Sequence, residues 1–256
     1  MLPLIIDAHV HPFLTGKDNT GLYRYGGPET PELFVQELRR AGIHKACGSV
    51  ISPISGSHFE DVRRHNDDAI EFYRQFPDFF IPGVHIHPCH PEDSCRELER
   101  VYALGVRYVG ELVPYMVGYE EYVRRDAYPI YDLMEQLGMI LNIHPTNDRD
   151  LETLMEKFPR LSIIVAHPDE KKEYDAHLDR MARYENAYLD ISGAGLFRNG
   201  LLRYGIDRVG KERFLFGTDF PICNPAMQVQ GVMYEHLSDE EKEAIFSGNF
   251  LRLISG

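Results

Sequence analysis

Eight short runs rich in aliphatic and β-branched residues recur along the chain, and stretches with helical spacing of apolar residues lie between them. The runs cover residues 4–10, 46–51, 80–87, 106–112, 139–144, 162–167, 187–191 and 214–219. Nearly continuous apolar strands are typical of parallel sheets buried on both faces, and parallel strands are joined by crossover helices. Eight β-α units in 256 residues predict one domain over residues 1–256, an α/β fold of the (β/α)8 TIM-type barrel, because an open doubly wound sheet more often has about five or six strands.

Two segments outside these runs carry local signals. Ser238 and Glu241 form a capping-box pattern, which predicts that a last helix begins there and ends near Gly248. The irregular segment of residues 12–28 follows the first run and contains four glycines. Because long loops inside a compact domain are often functional, we interpret this segment as a candidate lid.

The charge balance restricts the partners that the protein can bind. The chain has 27 Lys and Arg against 40 Asp and Glu, a net charge of −13, and such an acidic surface repels phosphate backbones and anionic lipid. No apolar stretch approaches the roughly 20 residues that span a bilayer, and the apolar residues 2–8 lack the basic start of a signal peptide. We therefore expect a cytoplasmic protein that acts on a small molecule, not on nucleic acid or a membrane. The sequence is also compatible with a homo-oligomer.

Histidines that precede proline mark the ends of the apolar runs. Composition predicts fewer than one His-Pro pair by chance, yet the sequence has five. His11, His87, His144 and His167 each stand at the carboxyl end of a run, where proline ends a strand because it lacks an N–H. Asp219 closes the eighth run in a similar way, one residue before a Phe-Pro pair.

The polar residues at these strand ends predict a metal site. Residues i and i+2 of a strand face the same side, so His9 and His11 can reach one ion, and Glu111 ends the fourth run in the same register. Active sites of parallel barrels lie at the carboxyl ends of the strands, so we expect these groups to converge. Imidazole and carboxylate suit Zn²⁺ or another divalent first-row metal. Two ions bridged by a carboxylate would use all six candidates, namely His9, His11, Glu111, His144, His167 and Asp219.

Five other histidines receive a different interpretation. They lie on predicted helices or outer loops, and we expect them to be surface residues. This set comprises His44, His58, His65, His177 and His236.

Three segments resemble the amidohydrolase superfamily. Residues 6–11 (IDAHVH) resemble its opening strand, residues 216–221 (FGTDFP) its closing strand, and residues 248–253 (GNFLRL) the C-terminus of its amidohydrolase-related branch. Many members bridge two metals with a carboxylated lysine on the fourth strand, whereas Glu111 stands at this position here, as in TatD-like hydrolases.

The resemblance implies two metal ions that share Glu111. One ion would be held by His9, His11 and Asp219, and the other by His144 and His167. A metal-bound water whose pKa falls to about 7 supplies hydroxide at neutral pH, and Asp219 would pass the proton to the leaving group. The expected activity is that of a metal-dependent hydrolase, with zinc as the metal and a small ester, lactone, amide or phosphoester as the substrate.

Four residues are expected to contact that substrate. They are Arg24, His87, Tyr115 and Arg198. Arg198 is the preferred anchor for a substrate carboxylate, because a guanidinium pairs with a carboxylate through two parallel hydrogen bonds.

Three alternative functions stay open. The first is a zinc-dependent decarboxylase of a small unsaturated or aromatic acid, which would need one metal. The second is a TatD-like deoxyribonuclease, which the net charge of −13 opposes. The third is a non-catalytic metal-binding barrel, which the intact Asp219 and its water-activating neighbours oppose.

Overall fold

Eight parallel strands form one sheet in the order of the chain, and helices lie between successive strands. The computed structural model describes residues 3–16, 26–55 and 58–255. The strands are β1 (Ile6–Val10), β2 (Lys45–Gly48), β3 (Phe80–Val84), β4 (Tyr108–Leu112), β5 (Ile140–Ile143), β6 (Ser162–Val165), β7 (Ala187–Asp190) and β8 (Phe214–Leu215). The predicted (β/α)8 TIM-type barrel is confirmed.

The helices surround this sheet. They are α1 (Pro31–Arg40), α2 (Phe59–Gln75), α3 (Pro91–Ala103), α4 (Pro114–Val117), α5 (Tyr128–Leu137), α6 (Asp148–Lys157), α7 (Lys171–Arg183), α8 (Leu201–Val209), α9 (Pro225–Tyr234), α10 (Asp239–Glu243) and α11 (Asn249–Ser255). Short 3₁₀ turns cover Arg125–Ala127 and Lys211–Arg213, and a π-helical turn covers Ala244–Gly248. Across the described ranges, no helix is both long enough and apolar enough to cross a bilayer.

Hydrogen bonds between the two ends of the chain bring β1 beside the segment after β8. The His11 backbone N–H donates to the Phe220 carbonyl over 2.8 Å. The buried Asp7 carboxyl group accepts hydrogen bonds from the backbone N–H and the hydroxyl of Thr218, at 3.0 and 2.6 Å. Because these partners lie far apart in sequence, the contacts fix the first and last strand ends beside each other.

A small apolar cluster fills the interior of the barrel. It consists of Ile6, Ala8, Cys47, Tyr108, Ile140, Ile164, Leu215 and Phe250. Since most of these residues come from different strands around the sheet, they meet inside the barrel. Phe250 of α11 packs against Tyr108, the first residue of β4, with ring centroids 6.1 Å apart. The C-terminal helix therefore covers the amino ends of the strands and leaves their carboxyl ends for a site.

The last helical segment runs further than expected. The capping box is present, since the Ser238 hydroxyl accepts from the Glu241 N–H and the Glu241 carboxylate accepts from the Ser238 N–H. The predicted end near Gly248 is wrong, because the chain passes through the π-helical turn into α11. The Asn249 side chain donates to the carbonyls of Lys211 and Phe214, both over 2.8 Å. These bonds hold the segment against the barrel and let it remain helical.

Two of the histidines predicted to lie on the surface are buried. His65 on α2 and His177 on α7 are each 3% exposed. His65 Nε2 lies 2.7 Å from the Ser52 hydroxyl, and His177 Nδ1 accepts a hydrogen bond from Arg180 over 2.7 Å. The surface expectation is wrong for both, because each histidine falls on the face of its helix that packs against the barrel.

Candidate metal centre

The six predicted metal ligands all lie at the carboxyl ends of strands. His9 is in β1 and Glu111 is in β4, whereas the others follow a strand directly or within four residues. Those that follow are His11 after β1, His144 after β5, His167 after β6 and Asp219 after β8. The fold brings all of them to one mouth of the barrel, where their polar atoms form two groups around Glu111.

The first donor group consists of His9, His11, Glu111 and Asp219. The Nε2 atoms of His9 and His11 are 3.2 Å apart. Glu111 Oε2 lies 3.3 Å from the first of these nitrogens and 3.4 Å from the second. Asp219 Oδ1 lies 3.3 Å from His11 Nε2 and 3.7 Å from His9 Nε2. Four potential ligand atoms from the ends of three strands therefore lie close together.

The second donor group consists of Glu111, His144 and His167. Glu111 Oε1 lies 2.9 Å from His144 Nδ1 and 3.3 Å from His167 Nε2. One ligand atom from each residue lies within 4.8 Å of the others. Glu111 thus presents one oxygen to each group, which is the arrangement that a bridging carboxylate requires.

The chemistry of the first donor group fits a metal ion. His11 Nδ1 lies 3.1 Å from the carbonyl oxygen of Ser49, and His9 Nδ1 lies 2.9 Å from a carboxylate oxygen of Asp190. Because both partners accept hydrogen bonds, each neutral ring carries its hydrogen on Nδ1 and keeps a lone pair on Nε2. Imidazole lone pairs and carboxylate oxygens that face one another repel, so this arrangement calls for a cation between them.

In the metal-free protein, protons supply that positive charge. Burial alone would lower the pKa of His9, but the charges of Asp190 and Glu111 outweigh burial and raise it well above its ordinary value. Burial opposes the charged form of His167 in the same way, yet Glu111 raises its pKa to about 9. Burial would raise the pKa of Glu111, but the charge of His9 and hydrogen bonds from the other histidines hold it well below its usual range.

The backbone at two of the donors adopts a conformation that side chains other than glycine rarely take. His167 has φ of 67° and Asp219 has φ of 63°. Left-handed backbone at a non-glycine residue costs about 1–3 kcal/mol and clusters at functional sites. At both positions the chain turns just after a strand and places the side chain in the mouth.

Sequence reasoning missed the residues that support the donors from behind. Asp190 is fully buried at the end of β7 and hydrogen-bonds His9. Gly193 packs so closely on His167 that a Cβ there would lie 2.4 Å from the ring Nδ1. A carboxylate inside an otherwise apolar run was the available signal for Asp190, whereas nothing in the sequence pattern relates Gly193 to His167.

A compact cavity opens directly above the donors. It has a volume of about 170 Å³, and Glu111, His144, His167 and Asp219 form its polar side. Its other walls come from Ile51, Val113, Tyr115, Met116 and Ile222. The cavity therefore combines acidic and imidazole groups on one side with mostly apolar surface on the other.

The four predicted substrate contacts have different positions. Tyr115 lines the cavity and packs edge-on against His144, with ring centroids 5.4 Å apart. His87 does not line this cavity. Both of its ring nitrogens are bonded to the backbone, since Nδ1 accepts from the Cys89 N–H and Nε2 donates to the Val117 carbonyl.

Arg198 is also absent from the walls of the cavity above the donors, and its guanidinium pairs with Glu170. Its predicted role as the carboxylate anchor therefore has no support in the geometry. Arg24 and most of the candidate lid lie outside the described residues.

Known proteins similar to this chain include several decarboxylases. The chain is 25% identical over 250 residues to the γ-resorcylate decarboxylase of Polaromonas sp. (strain JS666 / ATCC BAA-500), an alignment that covers 74% of each protein. A crystal structure of 2,6-dihydroxybenzoate decarboxylase complexed with 2,6-dihydroxybenzoate superposes with a TM-score of 0.78 at 19% identity, over the full length of both chains.

A further similar structure is that of a dihydroxybenzoic acid decarboxylase from Polaromonas sp. JS666 with bound manganese and the inhibitor 2-nitroresorcinol. It superposes with a TM-score of 0.75 at 20% identity and covers 99% of this chain and 97% of the other. These similarities contradict the expectation of a metal-dependent hydrolase, because the relatives are decarboxylases. They agree with the first alternative instead.

The family assignment rests on a match along almost the whole chain. The model of the amidohydrolase family matches residues 6–254, a range that contains every strand of the barrel and both donor groups. The resemblance inferred from the opening and closing strands is thereby confirmed. This chain belongs to the amidohydrolase family.

Proposed function

We propose that this protein is a metal-dependent decarboxylase of a small aromatic carboxylic acid. The observation that carries the proposal is the similarity to γ-resorcylate decarboxylase, which extends over 74% of the chain. The cavity above the donors supports it, because an aromatic acid has one anionic end and one apolar ring. The proposed ligands of the metal are the six residues of the two donor groups.

The size of the cavity favours a substrate with a single ring. Its volume of about 170 Å³ is below the roughly 300–1,000 Å³ of pockets for drug-sized ligands. Ile51, Val113 and Met116 offer apolar surface to the ring, and Tyr115 adds an aromatic side chain at the entrance. The substrate carboxylate would then lie on the side of the donors.

A divalent ion at the first donor group would supply a Lewis acid that binds and orients oxygen atoms of the acid. The bond between the ring carbon and the carboxylate carbon breaks, its electron pair stays on the ring carbon, CO₂ leaves, and that carbon takes up one proton. We assign the delivery of this proton to Asp219. Its Oδ1 faces the histidines of the first donor group, whereas its Oδ2 lies 3.9 Å from the Cys223 thiol.

The number and identity of the ions belong to the same proposal. The decarboxylase reaction needs one ion, which we place at the first donor group. Because Glu111 has one oxygen in each donor group, we propose a second position for metal at the other group, with this carboxylate between the two. Nitrogen and oxygen ligands suit both Zn²⁺ and Mn²⁺. The similar structure with bound manganese makes Mn²⁺ the first metal to test beside zinc.

The activity is tested with 2,6-dihydroxybenzoate as the probe. We expect Mn²⁺- or Zn²⁺-loaded protein to release CO₂ and form 1,3-dihydroxybenzene in equal amounts, and protein treated with a chelator to release neither. The methyl ester of the same acid is the control for hydrolysis. Methanol release from the ester without CO₂ release from the acid, or no CO₂ from any hydroxylated benzoate, would overturn the proposed function.

The bridging role of Glu111 predicts how metal content changes on substitution. We expect about two divalent ions per wild-type chain by elemental analysis, and a lower occupancy in Glu111→Gln, because the substitution removes a charge shared by both groups. Glu120→Gln is a matched control, since Glu120 is exposed near the mouth and belongs to neither group. Equal metal content in all three proteins would contradict the bridge.

The raised histidine pKa values predict that metal binding strengthens with pH. Below a pKa of about 9, His167 holds a proton in the metal-free protein, and the metal must displace it because only neutral imidazole is a ligand. Affinity for Mn²⁺ should therefore rise by up to about tenfold per pH unit for each displaced proton between pH 7 and 9. Calorimetric titrations in buffers of different ionisation enthalpy measure the released protons. A constant affinity without proton release would contradict this account.

A further inference from the structure

Behind the metal centre, a buried carboxylate collects hydrogen bonds from several directions. Asp190 Oδ2 accepts from the Asn142 side-chain amide over 2.8 Å, and Oδ1 accepts from the Ser192 backbone N–H over 3.1 Å. The Ser192 hydroxyl also donates to Oδ1. All three residues are fully buried, so no bulk water replaces these partners.

One oxygen of Asp190 also contacts a proposed metal ligand. His9 Nδ1 lies 2.9 Å from Asp190 Oδ2. Since the amide of Asn142 already donates to the same oxygen, the carboxylate acts as an acceptor and the imidazole must donate from Nδ1. The neutral ring of His9 therefore has its lone pair on Nε2, the atom that faces the first donor group.

The hydroxyl of Ser192 extends this chain of hydrogen bonds to the second donor group. Its single hydrogen points to Asp190, so its oxygen accepts from the imidazoles beside it, His167 Nδ1 at 3.0 Å and His9 Nδ1 at 3.1 Å. The neutral ring of His167 then has its lone pair on Nε2, which faces Glu111. A continuous chain of hydrogen bonds thus runs from His167 through Ser192 and Asp190 to His9.

We infer that Asp190 and Ser192 are positioning residues that link the two donor groups from behind. Together they fix the tautomer and the orientation of one histidine in each group, so that both Nε2 atoms face the metal centre. This inference rests on the metal ligands of the proposed function, and it adds a dependence of both groups on one buried carboxylate. Partners that hold ligand histidines in this way commonly change metal affinity when they are replaced.

The test uses isosteric or smaller substitutions in the full-length protein. Asp190→Asn keeps the shape of the side chain and places an amide where the carboxylate accepted. Ser192→Ala removes only the hydroxyl. Ser94→Ala is the matched control, because Ser94 is an equally buried serine whose hydroxyl bonds the backbone of His87 and lies outside both donor groups.

We expect Asp190→Asn and Ser192→Ala to weaken Mn²⁺ binding about 10- to 100-fold, and Ser94→Ala to bind as the wild type does. A second readout separates positioning from general damage. In ¹⁵N NMR spectra of Zn²⁺-loaded protein, His9 and His167 should carry hydrogen on Nδ1 in the wild type, and Ser192→Ala should alter the signals of His167. Urea denaturation checks that the variants remain folded.

Unchanged Mn²⁺ affinity and unchanged histidine signals in folded Asp190→Asn and Ser192→Ala would overturn the inference. Equal losses of affinity in these variants and in Ser94→Ala would overturn it as well, because the effect would then be one of general packing. Failure of the proposed function gives a different result. Protein that releases no CO₂ but shows the expected losses of metal affinity retains the positioning role.

Discussion

Lone pairs that face one another at the mouth of the barrel dominate the structure of this site. His9 and His11 direct Nε2 atoms at each other over 3.2 Å, and carboxylate oxygens of Glu111 and Asp219 lie within 3.7 Å of them. Such an arrangement is repulsive unless a cation lies between the atoms. The rest of the fold holds these groups together against that repulsion, with protons below the raised pKa values of the histidines and, in our proposal, with metal ions when loaded.

Closure of the barrel supplies much of that restraint. The donors on β1 and after β8 come together because Asp7 accepts two hydrogen bonds from Thr218, at a separation of 211 positions in the chain. Across the barrel, the Tyr108 hydroxyl on β4 donates to the Ala8 carbonyl over 2.8 Å, two residues before the end of β1. Strands that carry different donors are thus tied to each other below the site, which preorganises the donors.

The sequence was sufficient to predict the fold and the residues that meet at the mouth of the barrel, because both depend on local patterns. Apolar runs mark strands, and a histidine or carboxylate at the end of a run is carried to the mouth by topology alone. The positions of His65 and His177 were not predictable in this way, since a helical histidine is exposed or buried according to the packing of its helix. Asp190 lies in a run that reads as an ordinary strand, and its role depends on which rings pack beside it.

The activity was the least predictable property. The same barrel and similar ligands serve hydrolases and decarboxylases, so the donors restrict the chemistry to a class without selecting the bond that breaks. The hydrolase expectation followed from metal-activated water, which is one use of such a site. The charge of Arg198 suits a carboxylate anchor, but its pairing with Glu170 depends on a contact across loops that the sequence pattern does not reveal.

The position of the metal is the most direct test of this account. Crystals grown with Mn²⁺ and measured at the manganese absorption edge should show an anomalous peak within coordination distance of His9 Nε2, His11 Nε2 and Glu111 Oε2. Manganese bound in the crystal without a peak at these atoms would contradict the claim that residues from separate strands assemble a metal centre at the mouth of the barrel.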